Sequence, residues 1–256
     1  MKKNIKYYLF FSIFITFIFC IFIYLYSSYS GSCYNNNHIS KNCNNKFCLI
    51  KKINLDLPNS YKNRLFDLIN NDKFKKRVEI NNNNKLTSLF NCAIPSKSGS
   101  IITTSIINKE FPEFINYYQT ELCNIISNEI NIKLKPTPLN YQTSCCILIY
   151  EKEGDWINWH YDYNYYKGRF FTVLIPLTNK KTCTKFQYKI NNEIKQVDLV
   201  DESIIFEGDF LYHNASKICK NELRCILSLQ YVTDDEINYF NKMRIKIKDI
   251  AYTGFL

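Results

Sequence analysis

The chain has 256 residues, 46% of them hydrophobic and 16% aromatic, with only six glycines and six prolines. That is enough apolar matter for one ordinary domain plus an appendage, and it excludes disordered, collagen-like and linker-rich chains. The net charge is +10, but the lysines are scattered among asparagines and isoleucines with no dense basic stripe, so a nucleic-acid partner is not expected.

Tyr7 to Tyr26 is a run of twenty residues without a charge, preceded by Lys2, Lys3 and Lys6. A helix of that length spans bilayer hydrocarbon, the run exceeds a usual signal-peptide core, and no clear A-x-A cleavage site follows. Residues 1–30 therefore read as a transmembrane anchor, with contact to the membrane through residues 7–26; a signal peptide cleaved at the small residues of "SSYSGS" is the alternative. The flanking lysines put the N-terminus in the cytoplasm and the rest in the lumen or outside, as a single-pass protein of an endomembrane or virion membrane.

Residues 31–85 read as an Asn-rich stalk and a leading helix. Cys33, Cys43 and Cys48 cluster there as disulfide candidates, and His38 is not expected to do chemistry. A helical period runs from Tyr61 to Val78 through Leu65, Leu68 and Ile69, and "NNNN" at 81–84 reads as a loop. The main domain is placed at 86–233. It opens with a helix after Phe111, whose apolar face is Phe114, Ile115, Tyr118, Leu122, Ile125, Ile126 and Ile130; Pro136 and Pro138 prevent its continuation.

The texture then changes to short runs rich in β-branched and aromatic residues. They are "CCILIY" (145–150), "RFFTVLIPL" (169–177), "KFQYKI" (185–190), "IKQVDLV" (194–200), "SIIFE" (203–207) and "RCILSLQYV" (224–232). Turn residues such as Gly154-Asp155 and Gly208-Asp209 separate them. Cys145, Cys146 and Cys225 read as small buried hydrophobes. A last amphipathic helix is expected from Asp234 to about Lys246, within a segment 234–256. The expected fold is mainly β with flanking helices: a double-stranded β-helix (jelly roll) core preceded by an N-terminal transmembrane helix.

Only three histidines occur in the chain. His160 and Asp162 are two apart, so on a strand end they project to one side. His213 follows a later strand and a Gly-Asp turn, where a jelly roll returns late strands beside early ones. Two histidines and one carboxylate on one face form the facial triad of non-haem Fe(II) oxygenases, which leaves coordination positions open. A chelating 2-oxo acid needs a buried cation for its far carboxylate. Arg224, eleven residues after His213, offers a planar fork for that group.

With these four elements in order, each beside a suitable strand, residues 141–232 resemble the 2-oxoglutarate/Fe(II)-dependent dioxygenase superfamily, most closely its prolyl 4-hydroxylase-like branch. The "GRFFTVLIPL" strand after the H-x-D and "FEGDFLYH" before the distal histidine also look like that branch. The resemblance implies that His160, Asp162 and His213 are both metal ligands and catalytic residues. It implies that Arg224 binds the oxo acid with Tyr150, ten residues before His160, and that Thr172 offers a hydroxyl at the same carboxylate. The implied cofactors are Fe(II) and 2-oxoglutarate, with ascorbate as a reductant. The implied reaction is hydroxylation of a prolyl or lysyl side chain in a protein or peptide substrate, with decarboxylation of 2-oxoglutarate to succinate. Relatives that halogenate have a small residue where Asp162 stands, so the carboxylate favours hydroxylation. Nucleic-acid demethylases often carry a further arginine where Gln230 stands. A non-catalytic jelly roll, serving as a membrane-anchored structural or binding protein, is the alternative.

Overall fold

The computed structural model describes residues 7–8, 10–19, 50–81, 95–178, 180–191, 193–200 and 202–253. His38 and the cluster Cys33, Cys43 and Cys48 lie outside the described residues.

The membrane assignment is overturned. Among the described residues no helix is long and apolar enough to cross a membrane. The helix described near the N-terminus covers residues 10–19 with its aromatic side chains exposed. Residues 20–26 of the expected span lie outside the described residues. The single-pass topology, the cytoplasmic N-terminus and the luminal placement of the domain rested on that span and fall with it.

Twelve strands are described: β1 (Ile50–Ile53), β2 (Lys76–Ile80), β3 (Lys97–Ile102), β4 (Lys135–Pro136), β5 (Cys145–Tyr150), β6 (Trp156–His160), β7 (Phe170–Pro176), β8 (Phe186–Ile190), β9 (Glu193–Val197), β10 (Ser203–Glu207), β11 (Tyr212–Ala215) and β12 (Arg224–Val232). They join in one antiparallel sheet of order β1-β10-β7-β12-β5-β3-β6-β11-β8-β9, with β2 on β3 and β4 on β12. The sheet curls onto itself. Phe206 of β10 lies 4.8 Å from the His213 ring of β11 and 5.4 Å from Phe186 of β8, across many intervening strands. Such a curled antiparallel sheet is what a jelly-roll core requires.

The period of two along three central strands decides what each face does. On β12, Cys225, Leu227, Leu229 and Tyr231 point one way, into the main apolar core; on β5 and β7 so do Ile147, Ile149, Val173 and Ile175. Helices α1 (Asn59–Ile69), α2 (Thr104–Glu110), α3 (Pro112–Gln119) and α4 (Glu121–Ile130) cover that face with Leu65, Ile107, Phe114, Tyr118 and Leu122, all buried. The alternate residues, among them Arg224, Ile226, Ser228 and Gln230 of β12, line a cleft inside the curl. The buried free thiols Cys145, Cys146 and Cys225 fit the reading of small buried hydrophobes.

Several elements differ from the sequence expectation. The helix expected to reach Val78 stops at Ile69. Asn71 then caps a short 3-10 turn by accepting from Lys73 N, and 76–80 pairs with β3 as a strand. The long helix after Phe111 is two, α3 and α4, broken at Thr120, whose hydroxyl donates back to the Asn116 carbonyl at 2.7 Å. Ile125, expected on the apolar face, is exposed. The last helix, α5 (Tyr239–Thr253), starts later than expected. Residues 233–236 instead hold the loop before β7, through Lys167 N to Glu236 O and Arg169 N to Thr233 Oγ1. A disulfide joins Cys183 to Cys219, tying the loop before β8 to the one before β12.

Candidate active site

β6 ends at His160, and β11 runs antiparallel beside it with His213 directly opposite His160. Side chains paired across antiparallel strands project to one face, and here the two ring centres are 4.3 Å apart. Asp162 follows β6 by two residues. Its backbone N–H donates to the Gly208 carbonyl at 2.8 Å, which docks it against the turn between β10 and β11. A Cβ at Gly208 would collide with the Asp162 side chain, so this turn requires glycine for close approach.

Asp162 Oδ1 lies 3.5 Å from His160 Nε2 and 3.8 Å from His213 Nε2. Each imidazole is oriented from behind: His160 Nδ1 is 2.7 Å from the Asn158 carbonyl, and His213 Nδ1 is 2.7 Å from the Leu211 carbonyl. A carbonyl only accepts, so Nδ1 carries a proton in each ring and Nε2 is the nitrogen turned toward the carboxylate. Burial, helped by the neighbouring His160, brings His213 down to about 4, which keeps it neutral at pH 7. Burial works against the Asp162 carboxylate. The charges of the two imidazoles when protonated, with the Thr172 hydroxyl 2.6 Å from Oδ2, override it and hold the group below its usual range. Two imidazoles and one carboxylate, with ligand atoms all within 4.8 Å of one another, could hold a metal ion; this is the donor set that facial-triad Fe(II) sites use.

Arg224 opens β12 opposite Tyr150, the last residue of β5. The guanidinium is 3% exposed, lies 5.8 Å from the Tyr150 ring centre, and leaves Nη1 without a hydrogen-bond partner. Burial pulls the Arg224 pKa down, yet a guanidinium remains protonated. Burial also pushes the Tyr150 phenol up to about 12, so it stays a neutral donor. An unpaired nitrogen on a buried cation costs free energy unless a ligand satisfies it. Arg224, Tyr150 and the triad line one cleft of about 1100 Å³, its open mouth included.

Thr172 departs from expectation. Its hydroxyl is on Asp162, and it pairs with Gln230, six residues along β12 from Arg224. It lines the same cleft as Arg224 and Tyr150, with its hydroxyl committed to Asp162. Asn214, the asparagine of the one glycosylation sequon, is buried. Trp159 stacks on Tyr212 at 5.3 Å, and Trp156, half-buried, stands opposite Ser98 of β3. Sequence reasoning passed over Gly208 as a docking residue and over Lys97 and Lys248, which also line the cleft. The Gly-Asp turn before His213 was the only available signal for the first. Nothing distinguished the two lysines from the many others.

No family model matches the sequence, and no curated protein matches it. Among solved structures, the chain is similar to AviO1 from Streptomyces viridochromogenes Tue57, at 10% identity over 74% of this chain and 91% of that one, with a TM-score of 0.51. It is similar to a prolyl hydroxylase from Trichoplax adhaerens, solved with a hypoxia-inducible-factor oxygen degradation domain peptide fragment, at 17% identity over 81% and 90%, with a TM-score of 0.50. It is also similar to SnoN, a non-haem α-ketoglutarate-dependent epimerase from nogalamycin biosynthesis, at 9% identity over 72% and 76%, with a TM-score of 0.50. At such identities the likeness is one of fold, and that fold is the one of the 2-oxoglutarate–Fe(II) oxygenases, prolyl hydroxylases among them.

Proposed function

We propose that this protein is an Fe(II)- and 2-oxoglutarate-dependent dioxygenase that hydroxylates a prolyl or lysyl side chain of a protein or peptide. The observation that carries the reading is the convergence of His160, Asp162 and His213 in one cleft with a buried, under-bonded Arg224. In this reading the three residues hold the metal, and Arg224 with Tyr150 holds the far carboxylate of the oxo acid. Bound there, Fe(II) and 2-oxoglutarate supply oxidative decarboxylation coupled to hydroxylation of a C–H bond.

The protein's own contributions are orientation and exclusion of water. Thr172 fixes the Asp162 carboxylate, and the Asn158 and Leu211 carbonyls fix the tautomers of the histidines. Phe206, fully buried, and Phe186 press on the His213 ring and keep solvent from that side. Tyr141, Tyr163, Tyr165 and Tyr166 wall the cleft beyond the triad, a surface suited to the apolar body of a side chain.

The test is succinate formation by the purified protein with Fe(II), 2-oxoglutarate and candidate peptides. Asp162→Ala is expected to lower turnover by more than about a hundredfold, beyond the loss typical of a mere ligand-orienting residue. Succinate release that is absent, or unchanged in Asp162→Ala, would refute the reading.

A further inference from the structure

The oxo-acid end of the cleft is bounded by one loop, residues 216–223, which leaves β11 and ends on Arg224. Its first half is bonded to neighbours on both sides. Ser216 N donates to the Lys185 carbonyl at 3.0 Å, and the Ser216 hydroxyl accepts from Lys185 N at 2.8 Å. Ile218 N donates to the Asp155 carbonyl, and the Ile218 carbonyl accepts from Gly154 N, both at 2.9 Å. The Ile218 side chain is buried with Ala215 against Tyr150, the phenol assigned to the oxo acid.

The second half, between Ile218 and Arg224, is tied covalently. Cys219 is bridged to Cys183, 36 residues earlier in the chain. The Glu222 carboxylate accepts from Cys183 N at 3.0 Å and from Cys219 N at 3.3 Å, so it clasps both ends of the bridge. Asn221 turns through the left-handed region, and Leu223, beside Arg224, is 41% exposed. The bridge can be reached from solvent: Cys219 is exposed and Cys183 half-buried, whereas the free thiols Cys123, Cys145, Cys146 and Cys225 are buried. An exposed disulfide is open to exchange with a thiol, and buried sulfur is not.

We propose that the Cys183–Cys219 bridge is a redox switch on oxo-acid binding. The oxidised form fixes the loop that carries Ile218 and leads into Arg224; reduction releases it and weakens 2-oxoglutarate. This rests on the oxygenase reading and adds its regulation. A small dithiol carries the step. Its two sulfurs close into a cyclic disulfide as the Cys183–Cys219 bond breaks, two electrons pass to the protein sulfurs, and each sulfur takes up a proton. Residues 219–223 then gain conformers, and ordering them again on binding costs affinity. The triad histidines stand on β6 and β11, which are flanked by β3 and β8, so the metal site is held without the bridge.

The protein is reduced with dithiothreitol, freed of the reagent without oxygen, and compared with the oxidised protein after mass-spectrometric mapping of the bridge. Calorimetry without oxygen measures Fe(II) binding first and then 2-oxoglutarate binding to the iron-loaded protein. Reduction is expected to weaken 2-oxoglutarate about tenfold, through lost preorganisation, and to leave Fe(II) affinity unchanged. Amide hydrogen exchange is expected to rise in residues 219–224 and to stay the same in β6 and β11. The double variant Cys183→Ser, Cys219→Ser is expected to match the reduced protein and to ignore dithiothreitol, with its melting temperature reporting folding. Equal 2-oxoglutarate affinity in the two redox states overturns the proposal. So does a dithiothreitol response that persists in the double variant, which belongs to other sulfurs, or a matching fall in Fe(II) affinity, which marks general loosening. A bridge that oxidised glutathione does not form overturns it as well. Oxidised protein that binds no 2-oxoglutarate counts against the oxygenase reading, and unchanged exchange at 219–224 on reduction then overturns the switch separately.

Discussion

Asp155 and Arg224 are both buried charges, 1% and 3% exposed, in two regions of the same sheet. Asp155, in the loop between β5 and β6, is saturated. It accepts from Arg77 Nη1 and Nη2 at 2.8 and 2.5 Å, from Ser98 Oγ at 3.0 Å, and from the backbone of Glu151 and Lys152 at 3.0 Å. Arg224, at its end of the cleft, faces an aromatic ring and leaves Nη1 unmet. A charge whose every bond is made within the chain holds the fold; one left short of a partner waits for a ligand. The contrast sets a fully bonded charge against the under-bonded one that the proposed function assigns to a ligand.

The largest effect expected from it is on stability at the saturated site. Asp155→Ala removes the carboxylate that Arg77, Ser98 and two backbone N–H groups share, leaving Arg77 with Glu79 and Ser98 alone, and should cost about 3 kcal/mol in a denaturant titration. The same carboxylate predicts an acid response. Burial works to raise its pKa, but Arg77, the two backbone donors and Ser98 bring it down to about 2. Its folded pKa is below the unfolded value, so its contribution is present above the unfolded pKa and lost as pH falls toward the folded one. About 2 kcal/mol should therefore disappear between about pH 4 and pH 2 in the wild type, and not in Asp155→Asn.

The two faces of β12 extend the comparison to an uncharged residue. Leu227 is fully buried against the helices, and Leu227→Ala should cost about 3 kcal/mol of stability by leaving a cavity. Metal and 2-oxoglutarate binding by the folded fraction should be unchanged. Arg224→Leu should do the reverse. Its melting temperature should equal or exceed that of the wild type, because an under-bonded buried charge is removed. Its affinity for 2-oxoglutarate should fall about thirtyfold, the loss of a charged hydrogen bond. The smallest effect is expected for Thr172→Val, which deletes the hydroxyl on Asp162 and should weaken Fe(II) binding about tenfold. A Thr172→Val variant that lost 2-oxoglutarate affinity alone would return this residue to the oxo-acid pocket.

Much of this was legible before the structure. Cys145–Tyr150, Ser203–Glu207 and Arg224–Val232 have the bounds their apolar runs imply, because strands buried on both sides carry unbroken hydrophobic sequence. Strands Ile50–Ile53, Lys76–Ile80 and Lys97–Ile102 were missed, since lysines and serines interrupt them and their identity comes from the strands they pair with. The helix break at Thr120 depends on a local hydroxyl bond that periodicity does not register. His160 and Asp162 were legible as a spacing, and His213 as the histidine a returning strand brings back. The pairing of Cys183 with Cys219 was not, because cysteine spacing leaves connectivity open. The transmembrane assignment rested on an uncharged run and its flanks, and among the described residues no helix is long and apolar enough to satisfy it.

The most direct measurement is anomalous diffraction at the iron edge from crystals grown without oxygen in Fe(II) and 2-oxoglutarate. The account predicts one iron peak bound by His160 Nε2, Asp162 Oδ1 and His213 Nε2, with the oxo acid's far carboxylate on Arg224 Nη1. Iron bound elsewhere, or Arg224 still lacking that contact beside an ordered oxo acid, would contradict it.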